Sequence, residues 1–444
     1  MCMKVMKNIS LILNKSINII LLSIVVFPTV FFCKTTLDIF ILPKDMLFQV
    51  LVTMAMFLWL VKVISDKKPS FAGSKMNVPI LVFFAINILS CLWSTNPDLT
   101  LNAVNKLTFF VMLYFLIINF FKDKKQLITA IDLLILIAAV EAGYGILQQF
   151  GFDPLFPLKF SGKKTIIGTL GYHNYLSEYM VPILPVAVAR LFSNDGKRKK
   201  LFISIACIIM TICIVFTGTR SVWVALLISI PFFLVVTSIK NGNVLENYKK
   251  QIIIFSIILL GIIAFLTFVP LGKNSPEVIE RIKSTFEFRR GTTRNRPVIW
   301  QTGIRMAKER PLLGWGTDTF KYHYLDYLSQ VMKNKEPLAY IVEEAEYVHN
   351  EYLQVLIDTG IIGLIMFVGI FVAYFREGFR IIASVREKNA VMLIIGLMSA
   401  ILGVLIDSLF SFTFHIIPVN IAIWFVLGLS SSIGIMMSDA SNYE

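Results

Sequence analysis

Apolar and polar residues are segregated along this chain in long blocks. Runs rich in Ile, Leu, Val, Phe and Ala recur near 17–33, 40–61, 78–93, 104–121, 127–149, 174–192, 201–218, 221–239, 251–270, 352–375, 390–410 and 416–437. Each approaches the ~20 residues that carry a helix across a bilayer. The runs lack the in-out alternation of short strands that marks a membrane barrel. The pattern predicts an all-α polytopic membrane protein of about twelve transmembrane helices, a single integral membrane domain over 1–444. No internal repeat or low-complexity tract interrupts it.

One polar block does, at 271–350, between the ninth and tenth runs. It opens basic (Arg281, Lys283, Arg289, Arg290, Arg294, Arg296) and passes through the turn-rich Pro311-Leu-Leu-Gly314-Trp-Gly316. It becomes acidic at Glu343, Glu344 and Glu346 and closes on His349-Asn350. Inside it, Pro276–Thr285 has helical spacing. Arg296–Arg310 reads as a second amphipathic helix, with Ile299, Trp300, Ile304 and Met306 mostly to one side, Pro297 in its first turn and Pro311 ending it. Such helices can lie on a membrane surface with their arginines at lipid phosphates; a solvated basic face is the plainer reading of most of these arginines.

Composition supports the membrane reading: 56% hydrophobic and only 16% charged, where soluble domains carry about a quarter charged residues. The net charge of +14 would suggest nucleic acid in a soluble protein. Here the basic residues sit at the ends of apolar runs, so no nucleic-acid partner is expected. Lys67-Lys68-Lys75, Lys122-Lys124-Lys125, Lys197-Arg198-Lys199-Lys200, Lys240-Lys249-Lys250 and Arg376-Arg380-Arg386-Lys388 follow every second run. Positive residues mark the cytoplasmic side, so both termini are expected in the cytoplasm and the polar block outside, since long translocated loops escape the rule. No small-residue cleavage site follows the first run, so it reads as an uncleaved span. The five cysteines (Cys2, Cys33, Cys91, Cys207, Cys213) and four histidines show no metal spacing, and no Asp-x-Asp pair is present. No metal or cofactor is expected.

This topology puts four polar segments on one face: the block itself, Gly168-Thr-Leu-Gly171-Tyr-His173-Asn174, the tight turn Thr217-Gly-Thr-Arg220-Ser-Val-Trp223, and Asp407-Ser408 with His415. Arg220 at a membrane boundary requires an anion or a ring of acceptors, and its planar fork suits a diphosphate; equally, it can snorkel to the headgroups. His349 has the chemistry to take a proton from an arriving hydroxyl; the bland reading is an interfacial residue that caps the next helix with Asn350. Glu343, Glu344 and Glu346 are placed either to raise the pKa of His349 or to remain solvated at a helix start. In the fifth run, Asp132 fits a boundary position, while Glu141, with Gln148 and Gln149, either lines a polar cavity or bonds neighbouring helices.

Taken together, these segments resemble the O-antigen ligase and O-antigen polymerase superfamily of bacterial inner-membrane glycan transferases. Arg296-Pro-Val-Ile-Trp300 followed by Arg310-Pro-Leu-Leu-Gly314-Trp-Gly316 and Phe320 is similar to that family's Arg-x-x-x-Trp and Pro-x-x-Gly-x-Gly-x-x-x-Phe. His349-Asn-Glu-Tyr-Leu353, continuing to Gly360, matches its His-x-x-x-Leu-x-x-x-x-x-x-Gly at full spacing. Thr217-Gly-Thr-Arg220-Ser resembles its Thr-Arg turn, and Gly168-Thr-Leu-Gly171-Tyr-His-Asn174 its Gly-Thr-x-Gly-x-x-Asn loop, with Tyr172-His173 where relatives often carry Asn-Pro.

The resemblance implies a metal-independent glycosyltransferase in the cytoplasmic membrane, with a long outer loop between the ninth and tenth spans. Its donor would be an oligo- or polysaccharide on a lipid diphosphate, usually undecaprenyl-linked. Arg220 and Arg296 would hold the diphosphate and His349 would act on the acceptor hydroxyl, with Asn174, Trp300, Gly314, Gly316, Glu346 and Asn350 in support. In-line attack would invert the anomeric carbon. The acceptor would be a lipid A core sugar, another glycan chain or a protein hydroxyl. The short stretch after the last span favours the ligase-like case. A small-anion carrier of the bicarbonate type is the alternative from another class, against which stand the one-sided polar residues and the lack of half-to-half symmetry.

Overall fold

A computed structural model describes residues 2–66, 71–155, 166–193, 195–241, 295–332 and 345–441. All regular structure among them is helical. The amino-terminal part holds α1 (Cys2–Val30), α2 (Ile41–Asp66), α3 (Asn77–Ser90), α4 (Pro97–Phe120) and α5 (Lys124–Gln149). Then come α6 (His173–Met180), α7 (Leu184–Leu191), α8 (Lys197–Thr217) and α9 (Arg220–Asn241). Beyond the undescribed stretch are α10 (Arg296–Glu309), α11 (Phe320–Met332), α12 (Glu351–Ser384), α13 (Lys388–Asp407) and α14 (Ile417–Ser441), with a short 3-10 turn at Thr413–His415.

The sequence sets these boundaries by local chemistry. Asp123 starts α5 with a capping box: its carboxylate accepts from the Gln126 amide at 2.8 Å, and the Gln126 side chain accepts from the Asp123 amide at 3.3 Å. Asn96 caps α4 ahead of Pro97. Gly218, at φ 68°, ends α8 and reverses the chain within two residues, so that Arg220 begins α9.

Nine of the described helices are long and apolar enough to cross a membrane, and the chain is a multi-pass membrane protein. The expected run at 78–93 is a helix of only 14 residues. The expected span at 174–192 is two eight-residue helices, α6 and α7. Pro182 and Pro185 cause that break, because neither can donate to the helical ladder. The expected span at 251–270, the helix at Pro276–Thr285, and Glu343 and Glu344 lie outside the described residues.

Helices α13 and α14 form the centre of the bundle. Their apolar windows are 78% and 72% buried, against 22% for those of α1 and α2. Helices apolar all round belong in such a position, where protein replaces lipid on every side. Helix α13 packs on α7 and α9, α14 packs on α4, and α3 packs on α12. Small residues permit the close approaches: a Cβ at Gly428 would meet Ile117, and one at Gly396 would meet Ala189.

Helix α10 confirms the expected start and stop, but one apolar position differs. Ile299 and Met306 are buried and Trp300 half-buried, as expected, while Ile304 is exposed and Thr302, Gly303 and Ala307 share the buried face. Small residues are needed there because α10 packs tightly onto α12: a Cβ at Gly303 would lie 3.0 Å from Ile357.

The most irregular contact is between α12 and the Pro311–Gly316 turn. Helix α12 has a single non-helical residue, Gly360 (φ 67°, ψ −168°). That break leaves helix carbonyls without their usual partners, and the turn supplies donors: Trp315 N–H to Ile357 at 2.9 Å and Gly316 N–H to Asp358 at 2.9 Å. In return the Ile361 N–H bonds the Pro311 carbonyl at 2.8 Å. A Cβ on Gly360 would sit 2.2 Å from Leu312 backbone, and one on Gly314 2.5 Å from Asp358 backbone. Gly360→Ala is therefore expected to cost about 1–3 kcal/mol, read as a lower thermal midpoint in detergent and new protease sensitivity at 311–316.

Candidate functional site: two arginines and a histidine at one end of the bundle

Four chain segments converge at the start of α12. His349 stands two residues before that helix in the left-handed region, at φ 55°, which is costly for a residue with a Cβ. Its neighbours impose it. The Val348 carbonyl accepts from the Trp300 indole at 3.0 Å, and the Val348 N–H donates to Gln354 at 3.1 Å. Asn350 accepts from the Leu353 N–H at 2.9 Å and donates to the Leu409 carbonyl at 3.0 Å, while Glu351 N–H bonds Ser408 at 2.9 Å. Asn350 is thus the helix cap that the sequence suggested, and Trp300 anchors the turn that carries His349.

Arg296, the first residue of α10, acts electrostatically on His349, and Arg220, Glu178 and Asp407 act on Arg296 in turn. Burial first, and then the Arg296 charge, push the His349 imidazole down to about 4. It is a neutral base at physiological pH. Of the two readings of the acidic cluster, Glu346 fits the solvated one: it is exposed and acts on Tyr347 and Tyr175. Burial also lowers the Arg296 guanidinium from its ordinary range, with Glu178 and Asp407 opposing and Arg220 reinforcing the shift.

The Arg220 turn is fixed from two directions. Thr219 donates to the Asn174 side chain at 3.1 Å and accepts from Ser177 at 2.8 Å. On the other side Ser221 bonds Asp407. Asn174 therefore acts through Thr219 to set Arg220. Gly314 and Gly316 lie further along α12, where they shape the docking turn.

Two carboxylates complete the arrangement. Glu178, 2% exposed, accepts from Ser411 at 2.7 Å; Asp407, fully buried, accepts from Thr413 at 3.2 Å. Each keeps one buried oxygen that accepts no hydrogen bond among the described residues. Both lie within electrostatic reach of each other and of Arg296, whose positive charge offsets part of the cost of burying them. Asp407 was placed on this face by topology, but Glu178 was not singled out. Its signal was spacing: Asn174 and Glu178 lie four apart, on one face of a helix.

Glu141 and Gln148 turn out to bond a loop. Glu141 accepts from the Thr169 N–H at 2.9 Å and hydroxyl at 2.6 Å; Gln148 accepts from Ile167 and Gly168 N–H at 3.0 and 2.8 Å. The buried Lys44 lies close to Glu141 and bonds the Thr29 carbonyl, which Thr169 also meets. Both acceptors thus fix the Gly-Thr loop that leads into Asn174. Asp132 is a boundary residue, bridging Lys199 at 2.6 Å and Arg190 at 3.4 Å. Among the described residues no three His, Cys, Asp or Glu side chains form a metal-sized cluster.

Residues 205–368 match the family model described as O-antigen ligase. That segment of the chain is similar to the O-antigen ligase family. The matched segment contains Arg220, Arg296 and His349, and stops short of Asn174 on one side and Asp407 on the other. An uncharacterized protein of Haemophilus influenzae is 24% identical over 309 residues, 67% of this chain and 71% of its own length. The exopolysaccharide production protein ExoQ of Rhizobium meliloti is 30% identical over 104 residues, 23% of each chain. The O-antigen ligase relationship thus rests on the segment that holds the two arginines and the histidine.

Proposed function

We propose that this chain is a glycosyltransferase that moves a glycan from a polyprenyl diphosphate to an acceptor hydroxyl at the outer face of the cytoplasmic membrane. The observation that supports the reading is that Arg296 lies within electrostatic reach of both Arg220 and the left-handed His349, from three segments far apart in sequence. Arg220 and Arg296 bind the diphosphate. As the bond between the anomeric carbon and the phosphate oxygen breaks, its electron pair stays on that oxygen, and fixed guanidinium groups stabilise the growing charge. The acceptor oxygen forms the new bond to the anomeric carbon from the opposite side, inverting it, and its proton passes to His349. Glu178 and Asp407 keep Arg296 in place between turnovers.

Trp300 and Asn350 hold the histidine, and Asn174 sets the Arg220 turn. A ligase-like reaction onto a lipid-linked core sugar is our first reading of the acceptor. The similarity to a protein named for exopolysaccharide production favours chain polymerisation as the second. The deciding experiment supplies purified protein in liposomes with a lipid-diphosphate oligosaccharide and, separately, lipid A core, a second glycan chain or a Ser/Thr peptide. Release of lipid diphosphate dependent on one acceptor supports the reading. Its absence with all three, together with bicarbonate uptake by the same vesicles, favours the carrier instead.

Two further outcomes follow. Arg220→Lys retains the charge but loses the planar fork, and should lower kcat/KM for the donor by roughly tenfold to a hundredfold, measured as lipid diphosphate release. The acid limb of kcat/KM should lie near pH 4, well below the 6.5 of free imidazole. The same shift has a stability consequence. The unfolded chain binds the proton more readily between pH 6.5 and about 4, so stability falls as the pH drops through that window and is retained above it.

A further inference from the structure

Beside His349 lies a feature that diphosphate binding does not use. Five aromatic rings from three segments form one continuous row. His415 and Tyr347 have centroids 4.5 Å apart, and Tyr347 stacks on Phe412 at 4.7 Å. Phe412 meets Tyr175 edge-on at 6.0 Å, and Tyr175 meets Tyr172 at 5.0 Å. His349 touches the middle of the row, 5.0 Å from Phe412. The row runs from half-buried rings at His415 to the open at Tyr172, which is 58% exposed. Core packing alone does not account for an exposed tyrosine that ends such a row.

The buried end of the row carries carboxylates. Glu351, 3% exposed, gives one oxygen to His415 at 3.3 Å, and its other oxygen accepts nothing among the described residues. Asp318, held at φ 64°, likewise keeps a buried oxygen without a partner there and acts on both His415 and Tyr347. Burial pulls the His415 imidazole down, but Glu351 overrides it, so the ring is held above its ordinary range. Unpartnered buried acceptors can take a further donor.

Aromatic faces with carboxylate acceptors at one end fit a particular chemistry. A pyranose ring presents a face of C–H groups, weakly positive, which suits the negative face of an aromatic ring. Its hydroxyls donate well to carboxylates. Resting on the transfer reading above, we propose that the row from Tyr172 to His415, with Glu351 and Asp318, is the subsite for the acceptor's terminal pyranose. It presents that sugar's hydroxyl to His349, which touches the row at Phe412.

The test uses the full chain in liposomes with a lipid-diphosphate oligosaccharide as donor and deacylated lipid A core or a repeat-unit oligosaccharide as acceptor. Tyr172→Ala is at an exposed position, and Phe412→Leu keeps apolar volume. Each should raise the acceptor KM roughly three- to tenfold while leaving the donor KM and kcat nearly unchanged. Tyr172→Trp should restore the acceptor KM, which a purely structural role would not explain. Binding provides a readout without turnover: in a His349→Asn background, calorimetry should show the acceptor oligosaccharide bound several-fold more weakly once Tyr172→Ala is added. Unchanged acceptor KM and unchanged binding overturn the subsite even if transfer proceeds normally. A shift confined to the donor overturns its assignment to the acceptor. Failure of the transfer reading looks different: the parent protein releases no lipid diphosphate, whatever the rings do.

Discussion

His349→Asn is expected to abolish glycan transfer while leaving the protein folded, with turnover falling by about 10²–10⁴, the usual contribution of a positioned general base. Asparagine is the informative replacement because position 349 is left-handed, a conformation Asn tolerates better than most residues. His349→Ala removes the same imidazole and adds backbone strain, so it should be equally inactive and melt lower. Comparing the two separates chemistry from folding. Lipid diphosphate release measures the first, and the thermal midpoint in detergent the second. An Asn variant with parental turnover would remove His349 from the reaction.

Arg296→Ala should be nearly as damaging, by about 10²–10³ in kcat, the typical loss when one preorganised donor to a developing negative charge is removed. It also differs in kind. Glu178 and Asp407 would lose the positive charge that acts on both in their buried site, so the variant should lose stability as well as activity. Adding Glu178→Gln should recover much of the stability and none of the turnover. A double-mutant cycle on the thermal midpoint measures that coupling. If the single and double variants melt alike, the carboxylate pair does not hold Arg296.

Much of this site was legible in the sequence because its members interrupt a strongly apolar background. An arginine in a four-residue turn between two apolar runs, and a histidine at the mouth of another, stand out without any structure. The Arg-x-x-x-Trp spacing was also informative, since one helical turn carries Arg296 toward the centre and lets Trp300 hold the loop of His349. What escaped was the counter-charge. Glu178 lies in a run that reads as a continuous span, and only the proline break after Met180 ends the short helix that delivers it. For the acidic cluster, sequence left coupling to His349 and solvation both open, and the exposed Glu346 fits the second. Glu141 suggested a cavity, but its acceptors are taken up by the amide and hydroxyl of Thr169, a residue 28 positions away that sequence could not place.

The interruption of α12 at Gly360 also sets an elevation. Between Gly360 and the first charge at Arg376 the helix is apolar, and about 16 residues at 1.5 Å each cover roughly 24 Å, most of a ~30 Å hydrocarbon layer. The nine residues before the break add about 13 Å more, which lifts the imidazole out of the acyl chains. In the proposed reaction a lipid carrier holds its phosphates at that same level, so the donor would not have to leave the membrane, or sink into it, to meet His349.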